Sequence, residues 1–319
     1  NCPVSLRASA TLPYEEAGQA AIDGTEVHTW AERGIRSFLH NQRLLIDPSF
    51  DDEATQFQIV KDMMAAPTFS EDLHDYGMDC LEYVKNAVEE LENLKDAIFL
   101  VEQPVSLEDW VPDLKGTLDF AIVQPGKKIG DPGKITGFDW KSGNIFVSAI
   151  ENYQLMIYCL GLLAEYDHLY DIEIIELRIF MPRLQKDSRW SITRNELLDW
   201  ATTVFQPAFL QALRGEGQFN PGDHCKYCRA RVICRARAEA FFKLADADLT
   251  KPFDLLQDEE IVYAVKAAKL LAKWSEDLDE YALRKALTEG KVWSGLKVVE
   301  SRTVRRYRDI DMLSTRLIK

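Results

Sequence analysis

Residues 116–143 read GTLDFAIVQPGKKIGDPGKITGFDWKSG, and this segment limits what the chain can fold into more than any other. Two runs of apolar and β-branched residues flank a connection rich in Gly, Pro and Lys, the pattern of paired β-strands. Asp119 lies on the first run, and Asp139-x-Lys141 on the second. Residues two apart on a strand point the same way, so Asp139 and Lys141 share one face while Phe138 and Trp140 take the other. The strands thus carry two carboxylates and an ammonium into apolar surroundings. That is costly unless the charges are paired or bind a metal, which makes the hairpin a candidate metal site.

Around the hairpin the sequence predicts helices over 15–45 (carrying His28), 51–66 and 69–96, then a strand in IFLVEQPVSL that carries Glu102. After it come SAIENYQLMIYCLGLLAEY, a helix apolar enough to be buried, and IEIIELRIFMPRL, a strand rich in β-branched residues. A helix over 194–214 leads through the breaker GEGQFNPGD to a cysteine-bearing segment. Helices over roughly 229–246 and 257–289 follow, and KVVESRTVRRYRD reads as a strand with alternating basic residues. This order fits an α/β fold with a mixed central sheet flanked by helices, plus helical additions. The expected domains are 1–240, holding hairpin and cysteines, and a helical extension over 241–319 that ends in the basic strand.

The 319 residues suffice for a sizeable core, and an apolar fraction of 46% is that of a globular protein. No apolar run reaches the roughly 18 residues of a membrane span, so no membrane partner is expected. The chain opens at Asn1 rather than Met and stops inside a helix-like LSTRLIK, so a fragment at both ends is expected. A net charge of −14 excludes a protein coated in positive potential, but local patches decide nucleic-acid binding. Two patches stand out: Lys226, Arg229, Arg231, Arg235 and Arg237, and further on Arg302, Arg305, Arg306 and Arg308. Each reads either as a phosphate grip or as a solvated face.

Asp119, Asp139 and Lys141 together suit phosphodiester hydrolysis. Divalent cations polarise the phosphate and lower the pKa of an attacking water, and carboxylates are natural ligands for Mg²⁺ or Mn²⁺. A lysine beside the metal positions or deprotonates that water and offsets charge on the phosphate. The plain alternative is a surface ion pair between Lys141 and an aspartate. Other residues bear on the choice. Gly116 lets the backbone pass close to a neighbour, and Gln154 and Tyr158, at i and i+4, share a helix face. Glu102 sits on a strand and His28 in the helical phrase GTEVH.

The order GxxxH…E…GTxD…DxK…QxxxY resembles the RecB-type branch of the PD-(D/E)xK nuclease family, over about residues 24–160. The resemblance implies a restriction-endonuclease-like core. It implies that His28, Asp119 and Asp139 hold the metal with the Trp140 carbonyl, that Lys141 is the catalytic lysine, and that Glu102 is a helper acid. Gln154 and Tyr158 match the family's element at the DNA-binding edge. Asp139 stands where Glu is commoner, a shorter side chain that loosens the metal geometry.

Cys80 and Cys159 read as small core residues, whereas Cys225-x2-Cys228-x5-Cys234 brings three thiols into one local segment and Cys2 offers a fourth. Four thiolates suit Zn²⁺ or an iron–sulfur cluster, and His224 could replace Cys2 on zinc. The arrangement is similar to that of the [4Fe-4S] nucleases of the AddB and CRISPR-adaptation type. A cluster there would clip together distant segments and remove a few kcal/mol of unfolded-chain entropy. Lys226, Arg229 and Arg231 would then grip phosphates beside the active site. The resemblance thus implies a cytoplasmic, Mg²⁺- or Mn²⁺-dependent deoxyribonuclease of phage or prophage type, in the bacterial host cell. It would be an exonuclease on single strands or duplex ends, with a recombination or replication protein as partner. A non-catalytic DNA-binding or scaffold module with a structural metal cluster is the alternative.

Overall fold

The computed structural model describes residues 2–13, 18–91, 93–126, 131–245 and 258–299. The chain divides into two compact units, Pro13–Gln218 and the combination of Asn1–Leu12 with Phe219–Lys319.

The first unit begins with helices α2 (Gln19–Asn41), α3 (Glu53–Ala65) and α4 (Glu71–Glu89); α1 (Ser5–Ser9) belongs to the other unit. Strands β1 (Ile98–Ser106), β2 (Lys115–Gln124) and β3 (Gly133–Trp140) follow. Helix α5 (Tyr153–Tyr166) then crosses over to β4 (Ile172–Met181), and β5 (Lys186–Thr193) closes a five-stranded sheet of order β1-β2-β3-β4-β5. Pairing is antiparallel except between β3 and β4, where the crossover helix makes it parallel. The fold is therefore α/β, a mixed sheet flanked by helices.

Two cores sit on opposite faces of this sheet. Val27, Ala31, Ile35 and Leu39 recur every four residues on α2 and pack with Cys80 and Val84 of α4 against Phe120, Phe138 and Trp140. A Cβ on Gly77 would lie 2.5 Å from that of Trp30, so the two helices cross where only glycine fits. On the other face α5 buries Leu155, Met156, Cys159, Leu160 and Leu162 against Leu118, Ala121, Val123, Ile135 and Leu177. Asn152 caps α5, its side chain accepting the Leu155 N–H at 3.1 Å, so the helix starts at Tyr153 rather than at Ser148, where the predicted run begins.

The sequence reading contains no counterpart to β5. Its residues KDSRWSIT are mostly polar, and only Ile192 is buried, because this strand forms the sheet's edge. The expected helix 194–214 is α6 (Arg194–Trp200) and α7 (Gln206–Leu213), joined by a π-helical turn over Ala201–Phe205.

In the second unit α8 (Arg235–Ala245) packs on α9 (Asp258–Glu289). In this unit the chain's first residues pack on the cysteine segment. Arg229 donates to the Leu12 carbonyl at 3.1 Å, and Ser9 Oγ lies 3.8 Å from Cys228 Sγ. Arg237, read as part of a basic patch, is buried instead: it donates to the Arg231 carbonyl at 2.8 Å and faces Asp277 at 3.4 Å. Arg302, Arg305, Arg306 and Arg308, with most of the expected basic strand, lie outside the described residues. Among the described residues, no helix is long and apolar enough to cross a membrane.

Close packing of α5 on the sheet depends on Gly137, where a Cβ would come within 2.6 Å of Cys159 Sγ. Gly137→Ala is expected to lower stability by about 1–3 kcal/mol, as overpacking does, with part recovered when Cys159→Ala removes the sulfur. Urea denaturation of the single and double variants checks this, and additive losses would contradict it.

Candidate metal centre

The register that pairs Phe120 with Phe138 places Asp119 opposite Asp139 at the end of the β2–β3 ladder. Alternation slips there. Leu118 packs in the α5 core and Phe120 in the α2/α4 core, although residues two apart on a regular strand share a face. The same slip occurs on β1, where pairing passes from Val101↔Phe120 to Gln103↔Leu118 and Glu102 adopts φ +47°. Glu102 and Asp119 are thereby released from the flat pleat toward one point.

His28 reaches that point from α2. Its Nδ1 lies 3.3 Å from Asp119 Oδ1 and its Nε2 3.2 Å from the Trp140 carbonyl. Both ring nitrogens thus face acceptors, a demand that only the doubly protonated imidazolium meets. The other Asp119 oxygen accepts the Trp140 N–H at 2.7 Å. His28, Glu102 and Asp119 each bring a ligand atom within 4.8 Å of the others. The set includes Glu102, which the sequence reading gives as a helper acid, while Asp139 lies outside it and pairs with Lys141.

Lys141 Nζ lies 3.0 Å from Asp139 Oδ1 and 2.8 Å from Oδ2. Only the first contact has hydrogen-bond geometry, so Oδ2 is buried without a donor. Lys141 also donates to Gln154 Oε1 at 3.1 Å, and Gln154 Nε2 donates to the Tyr158 hydroxyl at 3.3 Å. The i, i+4 pair on α5 is thus connected to the strand charges. Gly116 makes room for it: a Cβ there would stand 2.4 Å from the Tyr158 ring.

The electrostatics match this crowding. Burial pushes the Glu102 carboxyl up to about 7, with the Asp119 charge adding to the rise and His28 opposing it. Burial likewise raises Asp139 to about 6, against the pull of Lys141 and with a push from Asp119. For His28, burial opposes the charged ring, but the bond to Asp119 and the charges of Asp119, Glu102 and Asp139 outweigh it and raise its pKa. Asp139 Oδ2 is buried and has only the Lys141 ammonium beside it, at 2.8 Å and without hydrogen-bond geometry. The chemistry of the donor set (imidazole, carboxylates and a carbonyl) could hold a divalent cation.

Cys2, Cys225, Cys228, Cys234, Lys226, Arg229 and Arg231 belong to the other unit. There Arg231 Nε lies 3.9 Å from Asp277 and Lys226 sits over the Tyr227 ring, while His224 bonds the Asn220 carbonyl at 2.9 Å. A single tetrahedral zinc draws its sulfurs to roughly 3.8 Å apart. The cysteines do not converge in this way, since the one donor set within 4.8 Å among the described residues is His28, Glu102 and Asp119. The sequence reading missed Arg183, whose Nε donates to the Ser142 carbonyl at 3.0 Å and fixes the backbone just after Lys141. No local spacing marks a residue that acts 41 positions away.

Glu102, Asp139 and His28 all hold protons more tightly when folded, so together they stabilise the metal-free protein at low pH. That stability is lost as pH rises through about 6 for Asp139 and about 7 for Glu102, and through the raised pKa of His28. The metal-free melting temperature is expected to fall between about pH 5 and 8, and Glu102→Gln to flatten the fall. Mn²⁺ should restore more at the upper end, where it no longer competes with protons. Thermal melts across pH, with and without Mn²⁺, read this out, and parallel curves for variant and wild type would contradict it.

A solved structure titled "Crystal structure of SSO0001" is similar to this chain at 12% identity and a TM-score of 0.29, over 74% of this chain and 95% of that one. Similarity at that level carries no argument. The family described as "Protein of unknown function (DUF2800)" matches residues 1–319, and the chain belongs to that family.

Proposed function

We propose that the protein is a metal-dependent nuclease of the RecB-like type that hydrolyses phosphodiester bonds in DNA, as an exonuclease on ends or single strands. One observation carries the reading: His28, Asp119, Glu102 and the Trp140 carbonyl converge beside the undonated Asp139 Oδ2, with Lys141 next to them. A bound Mg²⁺ or Mn²⁺, held by His28, Asp119, Asp139, Glu102 and the Trp140 carbonyl, would polarise the phosphate and acidify a water.

The side chains around it divide the remaining work. Asp119 ties sheet to helix through the Trp140 N–H and His28 and so fixes the donor positions. Lys141, held between Asp139 and Gln154, keeps its ammonium where it can orient the attacking water and offset charge growing on the phosphate. Gln154 uses both ends of its amide, one on Lys141 and the other on Tyr158, and thereby aligns the edge that would meet the strand.

The cysteines support a separate part of the proposal. Cys2, Cys225, Cys228 and Cys234 fall in one unit although the chain separates Cys2 from the rest, as a structural [4Fe-4S] clip would require, whereas zinc would need the sulfurs to draw closer together than they stand. Colour and iron content of anaerobically purified protein separate iron from zinc.

Lys141→Ala is expected to lower Mn²⁺-dependent degradation of linear DNA by about 100-fold or more while the melting temperature holds. A time course on 5′- and 3′-labelled single- and double-stranded DNA measures activity, polarity and strand preference together. Equal degradation by variant and wild type would remove the proposed role of Lys141, and degradation by neither would favour a non-catalytic DNA-binding module.

A further inference from the structure

We propose that Arg36 is a positioning residue for the metal centre: it holds the backbone of Glu102 in the conformation that aims this carboxylate at His28 and Asp119. The inference rests on the metal-site reading above and adds to it a residue that touches no donor of the site.

Glu102 is a non-glycine residue at φ +47°, inside a strand, a conformation that is unfavourable unless its surroundings impose it. The angle φ of Glu102 describes how the peptide carrying the Val101 carbonyl is turned about the Glu102 N–Cα bond. Arg36 Nη2 donates to that carbonyl at 2.9 Å. The hydrogen bond therefore acts on the strained torsion itself.

Arg36 is fixed in turn. Its Nε donates to Glu32 at 2.8 Å and its Nη1 lies 3.6 Å from Asp47. A planar guanidinium bound on three sides cannot swing to follow the strand, so the strand must conform to it. His28, Glu32 and Arg36 follow at intervals of four along α2 and share one face. That face delivers His28 as a donor directly and Glu102 indirectly, through Arg36. Sliding or rotating α2 would disturb both donors together.

The test is a double-mutant cycle read by Mn²⁺ affinity, measured calorimetrically on the full chain. Arg36→Ala is expected to weaken Mn²⁺ binding by about 10-fold or more, the usual scale for a supporting residue behind a metal ligand. In a Glu102→Ala background the same change should cost little, because the residue it positions is gone. Equal losses in both backgrounds would overturn the proposal. Arg36→Lys keeps the charge but loses the fork, so it should bind Mn²⁺ as weakly as Arg36→Ala. Full recovery with lysine would assign Arg36 an electrostatic role and overturn positioning.

A metal-free crystal structure of Arg36→Ala supplies a readout independent of binding. Relaxation of Glu102 to negative φ supports the proposal, whereas retention near +47° overturns it. Wild-type protein that binds no Mn²⁺ would overturn the metal-site reading, and the crystal structure would still decide whether Arg36 sets the backbone.

Discussion

Asp119 is the carboxylate on which this architecture turns. One of its oxygens accepts the Trp140 N–H across β2 and β3, and the other faces His28 of α2. A single buried side chain therefore joins two strands to the helix layer, at the point where the regular ladder ends. Protein groups satisfy both oxygens, so its position is fixed before any ligand arrives. The neighbouring acids are less well provided for. Asp139 has one oxygen without a hydrogen bond, and Glu102 is held in a strained backbone conformation. Asp119 is satisfied on both oxygens, while Asp139 Oδ2 has only the Lys141 ammonium beside it, without a hydrogen bond.

Burial favours the neutral form of Glu102 and Asp139, and the acceptors around His28 favour its charged form. A centre of this kind is pre-organised in geometry while incomplete in charge, and a divalent cation would complete it by displacing those protons.

Much of this was legible in the sequence where the cause is local. Strands β1 to β4 announce themselves through β-branched runs, and Gln154 and Tyr158 through helical spacing. Burial of Cys80 and Cys159 follows from their apolar neighbours. What stayed hidden depends on partners far away in the chain. Strand β5 is polar because it is an edge, and its pairing with β4 rather than its composition makes it a strand. Arg237 reads as part of a solvated basic patch until Asp277, 40 residues on, buries it. Glu102 was placed on a strand correctly, but its part in the donor set depends on a positive φ that no glycine advertises.

The irregularities coincide, and their coincidence is informative. Slipped alternation on β1 and β2, the left-handed Glu102, the undonated Asp139 oxygen and three raised pKa values all fall within one small region. Each is unfavourable alone, and none is needed to close a five-stranded sheet. Cores on both faces hold the distortion in place: Phe138 and Trp140 are locked under α2 and α4, while Gly137 seats α5 on the opposite side. A strand clamped so firmly on both faces cannot relax at its end, so the strain persists where the donors meet. A fold optimised for stability alone would carry apolar residues at these positions, so the strain gathered at the end of β3 is what motivates the proposed metal site.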